Sequence, residues 1–251
     1  MSDSVLFSVI KKPEAEVQLL FLHHAGGSCF SYMELAHKLS SSIEVYALEL
    51  AGRGIRIAEP FQTDAETVLS DILASIKHLK LGDDKPLLLF GHSLGAELAY
   101  HVARKLEYEA PEKKVVLILS ARGFFEPEDL IDDTCEEYSD EYVVNIINQC
   151  GGTPQDVLSN PELRDYLIRT MKNDLLLLDS LTRLPKTKLN TNTKVIGGDD
   201  DSRVLISQLE KWRKVLPASA EQHVFAGGHF YVFTNKTLIP WLERQLNEFT
   251  K

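Results

Sequence analysis

Long apolar runs are missing from this 251-residue sequence. The opening stretch MSDSVLFSVIKK holds one brief apolar run, broken by Ser8 and stopped by two lysines. That is too little for a signal-peptide core, and no later stretch approaches the roughly 20 apolar residues of a membrane span. A cytoplasmic protein with no membrane association is the expectation. Cysteine is scarce as well: Cys29, Cys135 and Cys150 are odd in number, far apart and in no metal-ligand pattern. A disulfide framework is thereby excluded, and the three read as small buried or half-buried thiols. Lysine and arginine are absent between Glu126 and Glu141, a segment with nine acidic residues that accounts for nearly all of the formal charge of −10. The remainder is almost neutral, so the chain has no electrostatic footprint for nucleic acid. The acidic segment reads as a solvated face, and an acidic partner would not dock on it. Internal repeats and low-complexity linkers are also lacking.

What the sequence has is enough apolar residue, 44%, to bury a full core in one large α/β domain with an insertion. Six runs read as strands: Val17 to Leu22, Ile43 to Leu48, Leu87 to Phe90, Val115 to Leu119, Lys194 to Ile196 and Gln222 to Phe225. They are continuous rather than alternating, as strands of a parallel sheet covered on both faces are. Helical spacing over Ser31 to Leu39, Ala65 to Leu79, Ala96 to Leu106, Arg203 to Val215 and Leu238 to Phe249 makes the order that of a mostly parallel, doubly wound sheet. Pro240 suits a first helical turn. About seventy residues separate the strand at Leu119 from the one at Lys194, far beyond an ordinary crossover, which predicts an inserted helical subdomain at about residues 125–188. Tyr142, Val143, Ile146 and Ile147 form one apolar stripe there; Leu163, Tyr166, Leu167, Thr170, Met171, Leu175 and Leu178 form another. The run Leu175 to Leu178 is apolar on every side, fitting either a helix buried between layers or a lid that lines a channel for an apolar chain.

The chemistry concentrates where PLLLFGHSLGAELAY passes from strand to helix. Gly91 and Gly95 permit a tight turn with Ser93 exposed at its tip beside a helix N-terminus, the arrangement of a nucleophile elbow. A serine nucleophile needs a base, an acid to orient the base, and donors for the oxyanion. Of eight histidines, His229 in Ala226-Gly227-Gly228-His229-Phe230 follows a late strand and precedes the last helix, where a hydrolase places its base. His37, His78 and His101 lie in helical patterns and read as surface residues, His223 is in a strand, and His92 should point away from Ser93. For the acid, Gly197-Gly198-Asp199-Asp200-Asp201 follows a short strand; the three aspartates are not separable by position, and one of them suits an N-cap for the next helix. The turn His23-His24-Ala25-Gly26-Gly27-Ser28 can bring a backbone amide near Ser93, and the Leu94 amide supplies a second donor. Its glycine spacing does not match a dinucleotide fingerprint, and adjacent histidines on a strand end point oppositely, so no metal site is expected.

With these pieces placed, nearly the whole chain resembles the type II thioesterases that accompany non-ribosomal peptide and polyketide synthases, with relatives in fatty-acid synthesis. The resemblance is carried by LFLHHAGGS (Leu20 to Ser28), LAGRGIR (Leu50 to Arg56), FGHSLGAELAY (Phe90 to Tyr100), GDDDSRV (Gly198 to Val204) and GGHFYV (Gly227 to Val232). It implies a single α/β-hydrolase domain over residues 1–251 with a helical lid, and a serine hydrolase acting through an acyl-serine. Its Gly-x-x-Asp-x-x-Val pattern, met by Gly198, Asp201 and Val204, makes Asp201 the preferred acid over Asp200, and its oxyanion amides map to Ala25 and Leu94. It further implies acyl or peptidyl carrier proteins as partners, with phosphopantetheine carried by the substrate and no other cofactor or metal, in a monomer. Docking of an acidic carrier then falls to basic or apolar surface near the site, with Arg53 and Arg56 as candidates or, equally, as loop anchors. Three positions depart from the pattern: His23, Ala51 and Ser202 stand where proline is usual. A carboxylesterase or lipase with the same triad, a medium-chain thioesterase of fatty-acid synthesis, and a non-catalytic scaffold are the rival readings.

Overall fold

The computed structural model describes residues 4–129 and 138–249. Seven strands are described: β1 (Leu6–Ile10), β2 (Val17–Leu22), β3 (Ile43–Leu48), β4 (Leu87–His92), β5 (Val115–Ser120), β6 (Asn192–Gly198) and β7 (Glu221–Phe225). The helices are α1 (Met33–His37), α2 (Ala65–His78), α3 (Leu94–Glu109), α4 (Asp140–Cys150), α5 (Gln155–Ser159), α6 (Pro161–Arg183), α7 (Ile206–Glu210), α8 (Tyr231–Thr234) and α9 (Leu238–Phe249). The strands form one sheet in the order β1-β3-β2-β4-β5-β6-β7, parallel throughout except for the antiparallel pairing of β1 with β3.

Because successive side chains on a strand face opposite ways, each central strand feeds two cores. Leu20, Leu22, Leu87 and Leu89 join the layer that holds α2, α3 and Trp212. Leu19, Phe21, Leu88 and Phe90 join the layer of α1 and α9. β2, β3 and β4 are buried along their whole length, which is why their sequences run apolar without alternating. The chain passes from β2 outward to β3 and then returns to place β4 on the other side of β2. A switch point therefore lies between the carboxyl ends of β2 and β4, where open α/β sheets bind ligands.

Among the described residues, α4, α5 and α6 stand between β5 and β6, within the predicted insertion. Ser139 caps α4 by accepting from Tyr142 N at 3.2 Å, and Asn160, followed by Pro161 in the first turn, caps α6 by accepting from Leu163 N at 3.1 Å. α4 and α6 share a small core of Val143, Ile146, Ile147, Ile168, Met171 and Leu175. The apolar run in α6 is divided by function: Leu177 packs into the main core, while Leu175 and Leu178 face a cavity. Cys135 and the stretch 130–137 of the acidic segment lie outside the described residues.

The sequence reading missed β1, whose run is interrupted by Ser8 and whose ladder shifts register between Ser8 and Ile10. An edge strand with a bulge buries one face only, so it leaves a weak pattern. The single helix expected over Arg203 to Val215 is instead a loop, the short α7 and a 3-10 turn over Lys211–Lys214. His101, expected at the surface, is fully buried against Glu97 in α3, 3.7 Å away. Glu97 also meets Arg122 at 2.8 Å and Lys186 at 2.5 Å; burial opposes its charge, but these cations outweigh it and hold its carboxyl below the usual range.

Candidate active site

Ser93 sits between β4 and α3 with φ +55° and ψ −114°, a positive-φ conformation that residues other than glycine seldom adopt. Its N–H donates to Ser120 O at 2.8 Å and its carbonyl accepts from Ala96 N at 3.0 Å, so the turn is held from both sides. The two flanking glycines are sterically required. A Cβ on Gly91 would lie 2.0 Å from Gly95 O, and one on Gly95 would lie 1.9 Å from Leu22 O. The second approach matters most: it seats the first turn of α3 against the end of β2. The loop that follows β2, His23 to Ser28, is thereby brought beside Ser93.

On the neighbouring strands, β6 and β7 end side by side. Their following loops are so close that a Cβ on Gly198 would lie 2.2 Å from Gly227 O. The three aspartates after β6 divide the work. Asp199 accepts from Gly227 N at 2.9 Å, and the Asp200 N–H donates to Gly227 O at 3.0 Å, which fastens the two loops together. Asp201 reaches the imidazole: its Oδ2 and His229 Nδ1 share a hydrogen bond of 2.8 Å. Its Oδ1 accepts from Arg203 N at 2.8 Å and Val204 N at 3.1 Å, and the residue is 6% exposed. No aspartate caps α7, contrary to the sequence expectation, because that helix starts only at Ile206; Asp201 caps the turn leading to it. Ser202 and Arg203 bond to Gln149 near the end of α4 at 3.1 and 2.9 Å, so the inserted helices brace this loop.

Ser93, His229, Ala25 and Gly26 line one cavity of about 170 Å³. Its walls are mainly apolar, with Ile146, Ile147, Leu167, Met171, Leu175 and Leu178 supplied by the inserted helices and Arg122 and Arg203 among the polar groups. Leu94, the first residue of α3, has its N–H in the helical turn where no intrahelical acceptor exists. His92 points away from the cavity as expected, sharing a 2.8 Å hydrogen bond with Ser120 Oγ, which in turn bonds Tyr231 OH at 2.7 Å. Burial, with the neighbouring His229 and His24, pushes the His92 pKa well below its ordinary value. Burial likewise lowers His24 to about 4, and its ring lies 4.8 Å from that of Phe230. Both rings near His229 are thus neutral at ordinary pH. Cys150, half-buried at the cavity wall, has its thiol pushed up to about 11 by burial.

Arg53 does not fit the docking role considered from sequence. It is 3% exposed and forms a two-pronged ion pair with Asp174 of α6, Nη1 to Oδ2 at 2.6 Å and Nη2 to Oδ1 at 2.5 Å. Arg56 is tied locally, to Glu59 at 2.9 and 2.5 Å and to Glu49 O at 2.9 Å. Both are loop anchors. Asp174 was missed by the sequence reading, although an acid on the apolar stripe of Thr170, Met171, Leu175 and Leu178 was a visible signal of a buried charge.

A strained serine at a strand-to-helix turn, a carboxylate-bound histidine three strands away in the sheet and a roofing helical insertion together define an α/β-hydrolase. A thioesterase-domain family model matches residues 17–246, and the chain belongs to that family. A Streptomyces griseus protein named "Probable cadicidin biosynthesis thioesterase" is 28% identical over 216 residues, 86% of this chain; the chain spans 58% of that protein's length. The medium-chain S-acyl fatty acid synthase thioesterase of Anas platyrhynchos is 28% identical over 244 residues, 94% of each chain. Among solved structures, the type II thioesterase BorB from the borrelidin biosynthetic cluster superposes with a TM-score of 0.80 at 26% identity, covering 96% of this chain and 97% of that one. The resemblance read from the motifs is borne out. Among the described residues no helix is long and apolar enough to cross a membrane.

Proposed function

We propose that the protein is an editing type II thioesterase, cleaving acyl thioesters from the phosphopantetheine arm of acyl or peptidyl carrier proteins of a non-ribosomal peptide or polyketide synthase. The observation that carries the reading is the Asp201–His229 pair at 2.8 Å, facing the cavity into which the Ser93 turn opens. Ser93 Oγ attacks the thioester carbonyl while His229 Nε2 takes its proton, with Asp201 fixing the tautomer and stabilising the imidazolium. The Ala25 and Leu94 amides donate to the oxyanion. The C–S bond then breaks, His229 returns its proton to the thiol, and an acyl-serine remains. Water, deprotonated by His229, adds to that ester, and collapse releases the acid and Ser93. No metal or further cofactor takes part, and the protein works as a cytoplasmic monomer.

The test is hydrolysis of a panel of acyl chains loaded on carrier proteins, compared with the same acyl groups as small oxoesters, for the native protein and Ser93→Ala. The expected result is a kcat/KM advantage for carrier-bound thioesters, abolished in the variant. Equal rates on free oxoesters favour a carboxylesterase. A preference confined to fatty acyl chains favours the medium-chain role that the name of the Anas relative carries. Failure of a serine-directed phosphonate to label Ser93 in folded protein favours a non-catalytic scaffold.

A further inference from the structure

Asp174 is a carboxylate on the inner side of α6 with 1% exposure. Besides both prongs of Arg53, its Oδ2 accepts from Gly26 N at 2.7 Å. Arg53 Nη1 donates in addition to Gly27 O at 3.2 Å. One ion pair therefore grips the turn after β2 at two successive residues, immediately beyond Ala25. The Gly27 N–H, donating to His24 O at 3.0 Å, closes the same turn. Burial works against the guanidinium's charge, and the Asp174 carboxylate more than offsets it, raising the Arg53 pKa. Such a pair is poorly explained by stability, since apolar residues of similar volume often serve a buried site as well or better. Its position explains it better. The carboxylate stands on the helix that also sends Met171, Leu175 and Leu178 into the cavity.

We propose that Arg53 and Asp174 are a positioning pair that sets the direction of the Ala25 N–H and registers it to α6, so that the fit of the acyl chain against α6 is felt at the oxyanion. This rests on the reading of Ser93 as nucleophile and Ala25 as oxyanion donor. An acyl group that displaces α6 carries Asp174, and with it Gly26 N, away from the productive position.

The test uses a small-thiol acyl thioester, so that carrier docking plays no part, and three changes: Arg53→Met with Asp174→Leu together, Asp174→Asn, and Arg53→Lys. For each, kcat, KM, Tm and the affinity of an acyl trifluoromethyl ketone, which forms a tetrahedral adduct on Ser93, are measured. Ile72→Ala, on the buried face of α2, reports general destabilisation. The double variant removes both charges at once and leaves neither stranded. It is expected to lose kcat by about 10²-fold, the scale of one oxyanion donor, with adduct affinity falling in parallel and KM within twofold. Arg53→Lys, which keeps the charge but not the fork, should fall between; Asp174→Asn keeps an acceptor for Gly26 and serves if the double variant does not fold. Normal kcat and adduct affinity in the variants overturn the proposal, as does an equal kcat loss in Ile72→Ala at the same Tm. A native protein that turns over no thioester and leaves Ser93 unlabelled overturns the hydrolase reading and this role with it; an active native protein with indifferent variants overturns this role alone.

Discussion

Ser93 stores backbone strain on the order of 1–3 kcal/mol, and the turn has no softer alternative because Gly91 and Gly95 already lie against backbone on both sides. Those glycines are legible in sequence because only their identity satisfies the contact. The acid was not. Asp199, Asp200 and Asp201 are adjacent, and which of them faces His229 depends on how tightly the loops after β6 and β7 interlock, a property of two segments some thirty residues apart. Once placed, Asp201 has a sharp consequence. In Asp201→Asn, the oxygen can still accept from Arg203 N and Val204 N, leaving the amide NH₂ toward His229 Nδ1. That forces the ring proton onto Nε2, the nitrogen required to take the serine proton. A fall of about 10⁴ in kcat is expected, with KM nearly unchanged and Tm close to native. Steady-state kinetics on a thioester check it, and a loss of less than tenfold would move the acid elsewhere.

At the scale of the element, α6 does the most varied work. Its stripe was visible as helical spacing, and its length follows from a 74-position gap that no crossover needs. What spacing could not assign is which residue of the run serves which surface, because every side of Leu175 to Leu178 is apolar. The answer depends on where the sheet ends and the cavity begins: Leu177 is in the core, and Leu175 and Leu178 are at the cavity. Asp174 is likewise a charge that local pattern marks as odd and that only the β2 loop makes sense of. A cavity of about 170 Å³ is close to the roughly 150 Å³ that admits benzene in an apolar protein interior. Leu178→Phe should therefore shorten the longest acyl chain accepted. Each methylene excluded from apolar contact forfeits about 0.8 kcal/mol, so kcat/KM should drop about fourfold per carbon beyond the new limit while the shortest acyl groups are untouched. A chain-length series on native and variant protein measures this, and an unchanged profile would remove Leu178 from the acyl site.

For the whole molecule, the hydrolase sheet was legible because buried parallel strands are written as continuous apolar runs; the edge strand β1, half exposed and bulged, was not. The histidines show how the assembled fold sets a global property. His23 and His92 are buried and His24 is half-buried at the cavity wall, and desolvation lowers all three pKa values, with Arg53 the next influence at His23. In the unfolded chain each titrates near 6.5. Between that value and the lower folded values, the unfolded state binds more protons than the folded one, so stability must fall as pH falls. The loss begins below about pH 6.5 and for His24 continues down to about 4. Fully inside the window, each histidine contributes a slope of about 1.4 kcal/mol per pH unit. Urea unfolding at pH 7, 6 and 5 should give steadily decreasing free energies, and His24→Gln, if it folds, should flatten the slope by one proton. A stability independent of pH over this range would mean that these rings take up protons in the folded protein as readily as in the unfolded chain. They would then be charged beside His229 at mildly acidic pH, opposing the imidazolium that catalysis requires.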